Sequence, residues 1–201
     1  MRVTFKNVVS SLLLIGGGYL LFLGGRDFVE SRWGQSEAAR EFERPVPDAV
    51  ETRSVVKPSA PPQNHPGDTL AKLRIPRLDA ELYVVEGDGP KELRRGPGHL
   101  AGTALPGEQG NCIIAGHRDT HFRVLKDIRQ GDDIILQTSA GQFLYRVKTL
   151  KVVEPENTDP LKPTSTAELN LITCYPFYYV GSAPRRFVVE AQLKGAIQRP
   201  S

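Results

Sequence analysis

Cysteine is scarce in this chain, with two in 201 residues, too few for a disulfide scaffold. No CxxC and no Cys/His spacing of the zinc-ligand kind occurs, so a structural zinc site is excluded as an expectation. An excess of one charge is also lacking. The formal net charge is +3, and basic residues are not interleaved with aromatics, which argues against a nucleic-acid partner. No internal repeat is present, which excludes a solenoid or propeller. What remains is 39% hydrophobic and 24% charged residues, the balance of a largely globular chain. The length allows one membrane segment and one domain of ordinary size.

The first segment points to a membrane. Arg2 and Lys6 precede an uncharged run, "VVSSLLLIGGGYLLFLGG", from Val8 to Gly25, about the minimum length for crossing hydrocarbon. A cleaved signal peptide is the alternative, but "RDFVESRW" follows the run and offers no Ala-x-Ala site. We therefore expect an uncleaved anchor over residues 1–27. Positive charge ahead of the run favours a cytoplasmic N-terminus, so the rest is expected outside the cytoplasm, in the periplasm or cell exterior, on a single-pass membrane protein. Residues 28–67 read as a juxtamembrane helix, to about Arg44, followed by a proline-rich spacer, "RPVPDAVETRSVVKPSAPPQNHPGD".

From residue 68 onward the texture changes. Short β-branched or alternating runs, "LAKLRI", "ELYVVE", "NCIIAG", "DDIILQT", "GQFLYRVKTLKVVE", "ELNLITC" and "RRFVVEAQL", are separated by Gly and Pro. This pattern predicts a closed or partly closed β-barrel over residues 68–195. Two interruptions, "GPKELRRGPG" and "HFRVLKDIRQGD", look helical. Residues 196–201 read as a fraying tail.

Two places concentrate chemistry. "NCIIAG" reads as a buried strand that Gly116 ends, with His117 at its exit; a glycine there lets the backbone turn or another chain approach. Cys174 follows Thr173 at the end of another strand, and Pro176 stops ordinary strand continuation. A thiol reacts as thiolate, which a neighbouring cation favours. A lone cysteine is also commonly buried and inert, and spacing alone leaves both readings of Cys174 open. Cys112, flanked by Ile113 and Ile114, reads as core filler. Of the other histidines, His65 lies in the spacer, His99 follows "GPG" at a loop, and His121 sits four residues beyond His117.

"AGHRDTHF" with His117, "LITCYPF" with Cys174 and "APRRFVV" with Arg185 and Arg186 together resemble the sortase family of cysteine transpeptidases. "LAKLRIPRLDAELYVVEG" is similar to the opening strands of its barrel. The resemblance runs in order from about Thr69 to Leu193. "GPGHLAGTALPGEQGN" and "TCYPFYYVGSAPRRF" look most like class D and its relatives in Gram-negative bacteria. Asn170 departs from the Thr-Leu-x-Thr-Cys pattern, since the stretch reads Asn-Leu-Ile-Thr-Cys.

The resemblance implies an all-β barrel of about eight strands with one or two short helices, carried behind the N-terminal transmembrane helix. It implies His117, Cys174 and an arginine as the catalytic set. Alternation puts Arg185 on the apolar face with Phe187, Val189 and Ala191, and Arg186 on the polar face with Glu190 and Gln192; Arg186 is therefore the expected member. Thr173, Tyr175, Phe177 and His121 are the candidates for contacting substrate. The implied reaction cleaves an LPxTG-like sorting signal through a thioacyl-enzyme and passes the acyl group to an amine, for instance of a peptidoglycan precursor, at the cell envelope. No cofactor or metal is implied, and Asp132 with Asp133 reads as a solvated turn. Two other readings compete. One is a membrane-tethered peptide-binding barrel without catalysis. The other is an enzyme like the L,D-transpeptidases, whose Ser-x-Gly-Cys turn is missing here.

Overall fold

A computed structural model describes residues 5–44 and 65–197. Eight strands among them close into a barrel: β1 (Thr69–Ile75), β2 (Ala80–Glu86), β3 (Gly98–His99), β4 (Asn111–Gly116), β5 (Asp133–Thr138), β6 (Gly141–Val153), β7 (Glu168–Tyr175) and β8 (Arg185–Ile197). Their order around the barrel is β1-β2-β3-β4-β7-β8-β6-β5. The all-β expectation holds, and each of the seven apolar runs became a strand. The two-residue β3 has no run long enough to announce it; it pairs parallel with β2 and antiparallel with β4.

Alternation explains the barrel. In β5 every second residue of "DIILQT" is buried, the period-2 pattern of a strand with one face inward. Leu73, Ile75, Val84, Ile114, Leu136, Leu169, Leu171 and Val189 fill the core and have essentially no exposed surface. Each such side chain contributes about 1.5–3 kcal/mol by leaving water. Cys112 belongs to this core, and both cysteines are free. β4 and β7 lie side by side in parallel, and the middle of each is buried on both faces, Cys112, Ile113 and Ile114 in β4 and Leu169, Asn170 and Leu171 in β7.

Outside the barrel, the β6–β7 connection crosses over β4 and β7. Asn111 Nδ2 donates to the carbonyls of Pro160 and Lys162 at 2.9 Å each. Asn170 Nδ2 donates to Asn111 Oδ1 at 2.7 Å. That pairing gives the Asn170 departure a physical reason, because the amide completes a buried clamp on the covering loop.

The first expected helical interruption is α2 (Pro90–Arg95), with Pro in its first turn; the second is a 3₁₀ turn over His121–Asp127. At the N-terminal end, the residues expected as an anchor and those expected to continue it as a juxtamembrane helix form one element, α1 (Phe5–Phe42), about 57 Å long at 1.5 Å per residue. Its C-terminal part docks on the barrel through Ser31, Gly34 and Ala38, all buried. A Cβ on Gly34 would lie 2.6 Å from Arg95 Cα, so only glycine lets α1 approach α2 this closely. The Gln35 amide donates to the carbonyls of Tyr83 and Arg95 and accepts from the Tyr83 N–H at 2.8 Å. Further toward the N-terminus, Leu12, Leu13, Leu14, Ile15 and Tyr19 are exposed. Among the described residues no helix is long and apolar enough to cross a membrane; part of the run Val8–Gly25 lies at positions whose side chains are outside the described set.

Residues 45–64, most of the expected spacer, also lie outside the described residues. At the other end, Ala196 and Ile197 of the expected tail belong to β8, which stays paired with β6 through Gln142 and Ile197, and residues 198–201 lie outside the described residues.

Candidate active site

Strand register builds the site. β4 and β7 run parallel, with Gly116 level with Thr173. One residue further along each chain, His117 leaves β4 beside Cys174. β7 and β8 run antiparallel, with Cys174 opposite Arg186. Neighbouring strands lie about 4.8 Å apart, so His117, Cys174 and Arg186 form one row with the cysteine in the middle. Leu169, Leu171 and Thr173 of β7 are buried toward the interior, so Cys174 projects from the opposite face by alternation. Its side chain is partly accessible, whereas Cys112 is only 1% exposed and burial pushes its thiol up.

The strand ends are held together beneath this row. Thr173 is 2% exposed, and its Oγ1 donates to the Gly116 carbonyl at 2.7 Å. Thr173 therefore does not face the groove as expected of a substrate contact; it clamps β7 to β4 one residue before Cys174 and His117. A Cβ on Gly116 would meet the Phe122 ring at 2.7 Å, and the Phe122 N–H donates to the His117 carbonyl at 2.9 Å. Close approach of that ring is the reason for glycine at the exit of β4.

His121 also differs from expectation. It is 6% exposed, its Nε2 lies 3.2 Å from Ser31 Oγ and 3.4 Å from the Arg94 carbonyl, and burial holds its pKa below the ordinary value. It braces α1, α2 and the 3₁₀ turn behind His117, outside the open groove. His99 plays a comparable interior part: Nδ1 meets Glu86 Oε2 at 2.9 Å, and Nε2 meets Thr103 Oγ1 at 3.0 Å.

On the β8 side, Arg186 Nη1 donates to the Arg185 carbonyl at 3.2 Å, while Arg185 Nε lies 3.5 Å from Glu154 Oε1 in an exposed pair. Tyr175, Phe177 and Phe187 cluster, with ring centroids 5.3–6.2 Å apart. Tyr178, Tyr179 and Val180 are exposed on the β7–β8 loop. Sequence reasoning missed Arg118. Its Nη2 donates to the carbonyls of Tyr179 and Gly181 at 2.8 and 2.9 Å, and its guanidinium carbon lies 5.7 Å from the centre of the Tyr179 ring. It ties the segment after His117 to the loop after Cys174. Adjacency to His117 was the only signal available, because the contact joins residues about sixty positions apart.

Asp132 and Asp133 are ion-paired rather than merely solvated. Arg77 Nε donates to Asp132 at 2.5 Å and Arg146 Nε to Asp133 at 2.9 Å. Among the described residues no group of three or more His, Cys, Asp or Glu is placed to hold a metal ion.

A row of thiol, imidazole and guanidinium on one accessible rim can attack a carbonyl, shuttle a proton and stabilise an oxyanion. Comparison with known proteins agrees with that chemistry. The Sortase domain family model matches residues 73–194. Sortase D of Bacillus subtilis (strain 168) is 30% identical over 191 residues, covering 92% of this chain and 96% of that protein. Among solved structures, the catalytic domain of B. anthracis SrtD is 28% identical with a TM-score of 0.60, covering 70% of this chain and 97% of that one. A Clostridium perfringens Sortase D5 transpeptidase shares the fold, with a TM-score of 0.64 at 24% identity, over 83% of this chain and 99% of that one.

Proposed function

The chain belongs to the sortase family of cysteine transpeptidases, and on that premise we propose that it is a membrane-anchored enzyme acting outside the cytoplasm on an LPxTG-like sorting signal. Cys174 is the nucleophile. Its sulfur attacks the backbone carbonyl at the scissile bond, and a thioacyl-enzyme forms as the amine leaves. His117 protonates that amine and then accepts a proton from the incoming amine. Arg186 donates to the oxyanion of the tetrahedral intermediate. The exposed aromatics of the β7–β8 loop, with Tyr175 and Phe177 at their base, form the apolar wall for the signal's leucine and proline.

The observation that carries this reading is the register of β4, β7 and β8, which puts three residues distant in the chain on one rim. For the anchor, the support is α1. Ser31 touches the barrel domain six residues beyond the apolar run, about 9 Å along a helix axis. A run seated in a bilayer would thus hold the groove close to the membrane surface, where a substrate protein and an amine acceptor such as a peptidoglycan precursor meet. Tethering of this kind raises effective concentration without new contacts.

The test uses the full chain in detergent micelles with an LPxTG-type peptide and an amine. A peptide-acyl adduct on Cys174 and an amide product are expected by mass spectrometry, and both vanish in Cys174→Ala. Equal product from parent and variant would refute the assignment.

A further inference from the structure

On the far side of His117 from Arg186, a cavity of about 460 Å³ opens. Its lining includes His117, Asp119 and Thr120 from the segment after β4, Asp88 and Arg94 from around α2, and Ser31 from α1. The docked helix is therefore one wall of a cavity that His117 also lines. Asp88 and Asp119 are exposed. Arg94 is also exposed and lines the cavity; its Nε donates to the Pro90 carbonyl at 3.0 Å, a bond that does not use its terminal nitrogens. Thr120 Oγ1 is shielded from solvent and has no hydrogen-bond partner among the described residues.

Resting on the transpeptidase reading above, we propose that this cavity is the seat of the incoming amine, and that it selects a zwitterionic amine, one that carries its own carboxylate. The argument is positional and electrostatic. The peptide's acyl group must lie over Cys174, and Arg186 is on the other side of the sulfur. The second substrate must reach the thioester where His117 can take its proton, and this is the cavity side. Two carboxylates attract the acceptor as its ammonium form and hold any further ammonium. Arg94 offers a planar fork to a carboxylate. The bound ammonium first gives one proton to solvent water; the free amine nitrogen then bonds to the thioester carbonyl carbon, the C–S bond breaks, sulfur leaves as thiolate, and the second proton lost by nitrogen passes to His117. Because Ser31 closes one side, the seat depends on α1 being docked, and Gly34 is what allows the docking.

The experiment measures partition of the thioacyl-enzyme between amide and free acid. It uses full-length protein in micelles, an LPxTG-type peptide, and three amines: triglycine, triglycinamide and hydroxylamine. In the parent, triglycine should give a higher amide-to-acid ratio than triglycinamide. Arg94→Gln should remove that preference. Asp88→Asn with Asp119→Asn should lower the ratio for both peptides about tenfold, the loss expected of a charge-assisted contact. Gly34→Leu should lower it similarly by lifting α1 from α2. Hydroxylamine, small and without a second charge, should partition alike in all of them. Ratios for triglycine that stay within about twofold of the parent in every variant, below the loss of one such contact, would overturn the acceptor seat. Absence of any acyl adduct on Cys174 would instead overturn the transpeptidase reading and this proposal with it.

Discussion

Gly116→Ala tests how closely the site depends on packing behind it. The new methyl carbon would lie 2.7–2.8 Å from two carbons of the Phe122 ring, whereas carbon atoms rest at about 3.5–4.0 Å. Ring or strand must give by about 1 Å. Phe122 is fully buried, so the ring has no free volume to enter, and overpacking of this kind costs about 1–3 kcal/mol. For a domain of this size the melting temperature should fall by roughly 3–10 °C. The rate should suffer more than the stability. His117 follows Gly116 directly, and its carbonyl accepts from the Phe122 N–H, so the displacement passes to the imidazole. A misplacement of about 1 Å can cost about 10²-fold in rate. The measurements are thermal unfolding by circular dichroism and kcat/KM for thioacyl formation with an LPxTG-type peptide. Gly116→Ala combined with Phe122→Leu should recover most of the rate while remaining less stable, because the shorter side chain relieves the clash but leaves a void. Gly116→Ala with parental rate and melting temperature would refute the reasoning. A double variant as slow as the single would show that the ring is not the cause.

Arg186→Ala should lower kcat/KM by about 10²–10³, the loss expected for one oxyanion donor, while Arg185→Ala should change it little, since Arg185 faces the exposed Glu154; a larger loss at Arg185 reverses the assignment. Burial depresses the pKa of His121 from its ordinary 6.5, so the unfolded chain binds that proton more readily than the folded one. Stability contributed by keeping His121 neutral is present above about pH 6.5 and is lost as pH falls through that value. Urea melts between about pH 7.5 and 5.5 should show a steeper loss in the parent than in His121→Gln, and equal slopes would refute the role of this imidazole.

The strand content was legible because alternation and β-branched runs are local signals. "DIILQT" and "ELNLITC" carry their inward and outward faces in the order of their residues. Local pattern put His117 and Cys174 at the ends of apolar runs, marked by Gly116 and Pro176, but left Cys174 open between nucleophile and inert thiol; the sortase resemblance is what joined the two as an expected catalytic set. The expectation of Arg186 over Arg185 rested on parity along one strand, and the register sets Arg186 opposite Cys174. Thr173 and His121 were misjudged because residues beside a site in sequence can point away from it. Thr173 has the opposite parity to Cys174, and His121 turns inward on a 3₁₀ turn against Ser31.

Local order of residues therefore determined the elements, their faces and the chemical types at the strand ends. It could not determine which strand ends meet, because registers such as Gly116 with Thr173 and Cys174 with Arg186 are set by closure of the whole barrel. Nor could it show that α1 docks beside His117, or that Arg118 joins two loops. Those contacts depend on volume and hydrogen-bond partners supplied by distant parts of the chain, and only the tertiary structure brings them within reach.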